Sequence, residues 1–89
     1  MDLKFENSFK RDLKKIKDKN VLEELKKVIR DLEEINELKG FKGDLKKLRS
    51  RKNFWRIKIG DYRIGLEIEG STLIFVRILH RKEIYKYFP

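Results

Sequence analysis

Two turn dipeptides, Gly60-Asp61 and Gly70-Ser71, punctuate a stretch in which apolar and polar residues alternate, and this feature constrains the chain more than any other. Trp55, Ile57 and Ile59 alternate with Arg56 and Lys58, and Tyr62, Ile64, Leu66 and Ile68 alternate with Arg63, Gly65, Glu67 and Glu69. A period of two with a glycine-led dipeptide at each reversal is the pattern of an antiparallel meander joined by two-residue hairpin loops. The first half of the chain has a different period. Phe9, Leu13 and Ile16 recur at helical spacing after Asn7 or Ser8, either of which suits a helix N-cap. The first helix should end around Asp18 to Asn20, and a longer one follows with Leu22, Leu25, Val28, Ile29, Leu32 and Ile35 on one stripe. Leu3 and Phe5 alternate with Asp2, Lys4 and Glu6, as in a short strand. The expected fold is α+β: an N-terminal strand and a two-helix hairpin packed on a three- to four-stranded antiparallel sheet, in a single domain over residues 1–89.

Charge separates the two halves again. Residues 1–38 hold ten basic and ten acidic residues, whereas 39–89 hold fourteen basic and five acidic, so the whole net charge of +9 belongs to the second half. Asp61 is the sole acid between Lys46 and Arg63. Such asymmetry suggests a polyanion-facing surface, with nucleic acid favoured over an acidic protein. With no cysteine and one histidine, His80, the sequence excludes thiolate metal sites and cysteine nucleophiles and leaves little for zinc. No cofactor is expected. The longest apolar run, Leu73 to Val76, is far too short to span a bilayer, and charges at Asp2, Lys4 and Glu6 interrupt any signal-peptide pattern. The chain therefore reads as cytoplasmic, with no membrane partner.

Hairpin register turns the pattern into a site. With Gly60 and Asp61 as the loop, Ile59 faces Tyr62, Lys58 faces Arg63, and Arg56 faces Gly65. Arg56, Lys58 and Arg63 then share one face, while Trp55, Ile57, Ile59, Tyr62, Ile64 and Leu66 share the face against the helices. With Gly70 and Ser71 as the next loop, Thr72, Ile74, Val76, Ile78 and His80 are expected on the basic face, His80 near Asp61 and diagonal to Arg63. Like charges on neighbouring strands repel by a few tenths of a kcal/mol or more per pair, about the scale of cross-strand pair energies. Folding does not call for them; a bound phosphate backbone does.

The segment Trp55-Arg56-Ile57-Lys58-Ile59-Gly60-Asp61-Tyr62-Arg63-Ile64, followed by Val76-Arg77-Ile78-Leu79-His80-Arg81-Lys82-Glu83-Ile84-Tyr85, resembles the RelE branch of the RelE/ParE superfamily, toxins of type II toxin–antitoxin modules. The likeness extends over essentially the whole chain, and the ending Ile84-Tyr85-Lys86-Tyr87-Phe88-Pro89 is similar to archaeal RelE homologues. The resemblance implies a ribosome-dependent, metal-independent endoribonuclease that cleaves messenger RNA through attack of a 2′-hydroxyl on the adjacent phosphate. It further implies a cognate RelB-type antitoxin. By the same resemblance Arg63 and Arg81 stabilise phosphate charge, Lys58 positions the phosphate or transfers a proton, and Tyr85 stacks on a base or takes part in proton transfer. His80 stands where the family's bacterial archetype has a lysine, and other members use histidine as acid or base. Lys46, Lys47, Arg49, Arg51, Lys52 and Arg56 are expected to contact RNA, supplying affinity rather than geometry.

Two departures from the archetype stand out. Arg56 replaces a lysine, which keeps the charge but removes any acid–base capacity, and the segment between Arg81 and Tyr85 is shorter. The rival readings are a gyrase inhibitor of the ParE type and an RNA- or ribosome-binding protein without nuclease activity.

Overall fold

The computed structural model describes residues 1–50 and 52–89. Its elements run β1 (Asp2–Phe5), α1 (Asn7–Lys14), α2 (Lys19–Glu34), a 3-10 turn (Leu38–Gly40), β2 (Asp44–Lys47), β3 (Phe54–Ile59), β4 (Tyr62–Glu69), β5 (Thr72–His80) and α3 (Ile84–Tyr87). The strands form one sheet in the order β1-β5-β4-β3-β2. The α+β class and helical hairpin are as expected, but the sheet has five strands rather than three or four. β1 joins β5 in parallel, and the stretch after Gly43 contributes β2 as an antiparallel edge strand on β3. A parallel partner separated by two helices leaves no local turn signal, so it escapes a pattern search.

The helix boundaries also move. Glu6 occupies the N-cap of α1 without a side-chain bond, so neither Asn7 nor Ser8 is the cap. α1 ends at Lys14, ahead of the expected Asp18 to Asn20, and Asp18 instead caps α2, its carboxylate accepting from Asn20 N at 2.9 Å and Val21 N at 3.4 Å. Ile16 is buried beyond the end of α1. Phe9 from α1 and Val21, Leu25, Val28 and Leu32 from α2 bury against Ile57, Ile59, Ile64, Leu66, Leu73, Phe75 and Ile78 of the sheet. Trp55 and Tyr62, expected in the core, pack against it while partly exposed.

The first hairpin has the expected register: Ile59 pairs with Tyr62, Lys58 with Arg63 and Arg56 with Gly65. Gly60 and Gly70 both have positive φ, +58° and +61°, which is why glycine leads both turns. The second hairpin departs. Leu66 pairs with Phe75 but Gly65 pairs with Arg77, so Val76 is an extra, unpaired residue and the strand changes phase there. Arg77 and Leu79 thereby join the face carrying Arg56, Lys58 and Arg63, while Ile78 and His80 turn to the helix side. The expected placement of Ile78 and His80 on the basic face is thus overturned, and that of Thr72 and Ile74 stands.

β1 stops at Phe5, and α1 then runs beside the bulged half of β5 and satisfies its free edge. Ser8 Oγ donates to Val76 O at 2.6 Å, and the Asp12 carboxylate accepts from Ile78 N at 3.1 Å. Asp12 also accepts two bonds from the Arg77 guanidinium, at 2.7 and 2.9 Å. Bonding to Asp12 raises the Arg77 pKa against the opposing effect of burial, so this arginine stays charged and committed to the fold.

Candidate functional site

The face of the sheet away from α1 and α2 is divided across its middle. At the end nearest the β3–β4 turn it is cationic. Lys58 and Arg63 are directly opposed across β3 and β4, Lys58 exposed and Arg63 half-buried. Arg63 Nη1 donates to the carbonyls of Gly60 at 2.9 Å and Tyr62 at 3.0 Å, so the turn holds the guanidinium and leaves its other donors for a ligand. It pairs with neither Asp61 nor Glu83. Among the described residues, neither Lys58 nor Arg63 forms a salt bridge.

Arg81 joins this end through the same turn. Its backbone N donates to Asp61 O at 2.7 Å, and its exposed side chain approaches Asp61 Oδ1 at 3.8 Å. A solvent-exposed pair of that length contributes at most ~1 kcal/mol, so the guanidinium is readily surrendered to a phosphate. Two arginines and a lysine organised by one tight turn can neutralise a phosphate and the further charge that develops when it becomes pentacoordinate.

The other half of the face sets Phe54, Gly65 and Ile74 beside Glu67 and Glu69, and Phe88 of the C-terminal segment packs there. Ile84 and Phe88 are buried, Phe88 packing edge-on to Phe54 with ring centroids 5.0 Å apart. Between them α3 projects Tyr85, 59% exposed, and Tyr87, 58% exposed. Tyr85 is therefore not a core aromatic. The Arg77 guanidinium lies over the Tyr87 ring, 5.3 Å from its centroid, linking α3 to the Asp12 pair.

The remaining expected residues scatter. His80 pairs with Tyr62 on the helix side, their rings edge-to-face at 5.7 Å, and lines a cleft with Asp18, Glu24 and Asp61. Its neighbourhood with Asp61 holds, but the sheet separates its ring from Lys58 and Arg63. Its Nδ1 accepts from Lys82 N at 3.2 Å. Arg56 lies on the basic face yet is spent internally: Nη1 bonds Asp44 Oδ1 at 3.0 Å, and Nε is buried without a partner among the described residues. Lys46 pairs with Arg56 and shares its face; Lys47 pairs with Trp55 and sits over its ring at 5.8 Å on the opposite face. Arg49 and Lys52 are exposed in the β2–β3 loop, and Arg51 lies outside the described residues.

Asp12 and Arg77 escaped the sequence reading although they hold α1, β5 and α3 together. One signal was present: Asp12, three residues after Phe9, interrupts the buried stripe of α1, and an acid there needs a buried partner. Among the described residues no group of three or more His, Cys, Asp or Glu is placed to hold a metal, and no helix is long and apolar enough to cross a membrane.

Known proteins share this fold. The chain is 42% identical to Toxin RelE3 of Methanocaldococcus jannaschii over the full length of both. It superposes on a structure described as the RelB-RelE antitoxin-toxin complex from Methanococcus jannaschii with a TM-score of 0.84 and 41% identity, covering 97% of this chain and 99% of the other. The RelBE2 toxin-antitoxin complex of Mycobacterium tuberculosis matches at a TM-score of 0.68 over 90% of this chain and 96% of that one, but at 22% identity, a likeness of fold alone. The model of the family described as "ParE toxin of type II toxin-antitoxin system, parDE" matches residues 3–85, and the chain belongs to this ParE/RelE family of toxins.

Proposed function

We propose that this toxin is a ribosome-dependent, metal-independent endoribonuclease that cuts messenger RNA and so arrests translation. The observation that carries the reading is the opposition of Lys58 and Arg63 on an exposed sheet face, with Arg81 tethered to the same turn through Asp61. In the reaction a ribose 2′-oxygen bonds to the adjacent phosphorus while the bond to the 5′-oxygen breaks, leaving a 2′,3′-cyclic phosphate and a free 5′-hydroxyl. The hydroxyl proton leaves to a base and the departing oxygen collects one from an acid. Arg63 and Arg81 take up the charge on the pentacoordinate phosphorus. Lys58 positions the phosphate or exchanges a proton with it, and exposed Tyr85 stacks on a neighbouring base or exchanges the other.

His80 faces the wrong side of the sheet for direct proton transfer, so we assign it to holding the Arg81–Lys82 backbone through Nδ1. Lys46, Arg49, Arg51 and Lys52 supply sequence-independent affinity for RNA. Lys47 and Arg56, engaged with Trp55 and Asp44, contribute less. A RelB-type antitoxin is the cognate partner, in keeping with the complex formed by the archaeal relative, and the +9 charge suits an acidic one. The action is cytoplasmic, where ribosomes are.

A toeprint on cell-free translation tests this. Truncated message in the ribosomal A site is expected with wild type, and far less of it, though still measurable, with Arg81→Ala or Tyr85→Ala. Uncut message with normal protein synthesis would discard the reading. The ParE description of the matching family model favours gyrase inhibition as the second reading, and a supercoiling assay would then decide it.

A further inference from the structure

Gly65 stands in the middle of β4, buried, at a position where glycine weakens a strand because it costs backbone entropy and has no side chain to pack. Its backbone does not require glycine, since the positive-φ glycines are Gly60 and Gly70. Space requires it. A Cβ at Gly65 would come within 2.6 Å of the Phe88 ring, far inside contact distance, and Phe88 is buried with its ring edge-on to Phe54. Gly65 is thus the socket and Phe88 the plug.

What the plug holds is α3. A helix of four residues has no stability of its own. It is fastened on either side of Tyr85: by Ile84, which is fully buried, and by Phe88, whose backbone N donates to Ile84 O at 2.8 Å. Tyr85 itself is 59% exposed, so burial of its own side chain cannot fix it in place. The apolar pair in α3 and its end stands apart from the main core: Ile84 and Phe88 are buried but lie outside it, Phe88 against Gly65 on the open face.

We infer that Gly65 and Phe88 are positioning residues, a lock that holds Tyr85, four residues after Arg81, in a fixed place for the reaction on RNA. This rests on the nuclease reading and deepens it. Neither residue touches the reacting phosphate. They act by converting a flexible terminal segment into a fixed arm, which removes the orientational freedom that would otherwise reduce the rate.

The test uses the full chain with Gly65→Ala, Phe88→Ala and Phe88→Leu, each alone and combined with Tyr85→Ala, and reads three quantities. In hydrogen exchange, residues 84–88 should exchange at least tenfold faster in Gly65→Ala and Phe88→Ala, and β3–β5 should stay protected. In ribosome-programmed cleavage, kcat should fall at least tenfold in those two with KM little changed, and Phe88→Leu should recover most of it. Once Tyr85 is alanine, Phe88→Ala should lower kcat no further, because the lock has nothing left to position. A Phe88→Ala effect undiminished in the Tyr85→Ala background would overturn the assignment, as would loosened exchange with unchanged kcat. Unchanged exchange in Phe88→Ala would overturn the lock itself. A wild type that cuts nothing would instead overturn the nuclease reading and the catalytic part of the lock with it, while the exchange data still report whether Phe88 seats the arm.

Discussion

The two faces of this sheet are built on opposite terms. On the helix side Ile57, Ile64, Leu66 and Phe75 are almost wholly buried beneath the helices, and their burial favours folding. On the other side Lys58 opposes Arg63, Arg56 is drawn into a pair with Asp44, and Phe88 packs over Gly65 against Phe54. The first face is explained by burial of hydrocarbon. The second retains repulsion that folding alone would remove, and it is tolerable because the first face is already well packed. Function in this toxin is therefore sought where local stability has been given up.

The sharpest way to break that comparison is to remove the charge on the open face and watch stability and toxicity separately. Arg63→Ala combined with Arg81→Ala should abolish growth arrest on expression. With ~10²-fold lost for each transition-state donor, the cleavage rate should drop about 10⁴-fold, roughly 5 kcal/mol of barrier, if the two act independently. The denaturation midpoint should move little, because Arg81 is exposed and Arg63 bonds to carbonyls of its own turn rather than to a distant element. Toxicity that survives the double change would sink the site.

The complementary change lies on the covered face. Ile64→Ala should cost about 2–5 kcal/mol in urea unfolding, from lost transfer energy and the cavity left behind, without altering the chemistry of the molecules that remain folded. A loss below about 1 kcal/mol would mean that the helices collapse onto the gap and the faces differ less than their burial implies.

Asp12 sits between these extremes, as a buried acid serving the edge of β5. Asp12→Ala leaves Arg77 and the Ile78 amide without their acceptor and should cost about 3 kcal/mol, whereas Asp12→Asn, which keeps one acceptor, should lose less. Equal losses for the two, measured by chemical unfolding, would show that the charge and not the hydrogen bonding sustains the contact. The smallest effect is the most telling. Lys58→Met should raise stability by a few tenths of a kcal/mol, by relieving the repulsion with Arg63, while lowering cleavage. A variant less stable than wild type would show that Lys58 is there for the fold.

Much of this was legible beforehand because it depends on neighbours in sequence. The β3–β4 hairpin, its register and the common face of Arg56, Lys58 and Arg63 follow from a period of two and a glycine able to take positive φ. The second hairpin resisted the same reasoning at Val76. Leu73, Ile74, Phe75 and Val76 are apolar on both faces, so alternation carries no phase there, and the spacing from Phe75 to Ile78 was the sole trace of a bulge. One extra residue then sent His80 to the far side of the sheet and brought Arg77 to the near one.

The sequence by itself determined the class of fold, the cationic half and the residues that meet at the β3–β4 turn, because local backbone preference and side-chain alternation act over a few residues. Tertiary structure decided which cations remain available. Asp12 claims Arg77 from 65 residues away, Asp44 claims Arg56 from the neighbouring strand, and Phe88 finds the space left by Gly65. These contacts join residues distant along the chain, and each forms when packing brings its partners together, so no periodicity announces it.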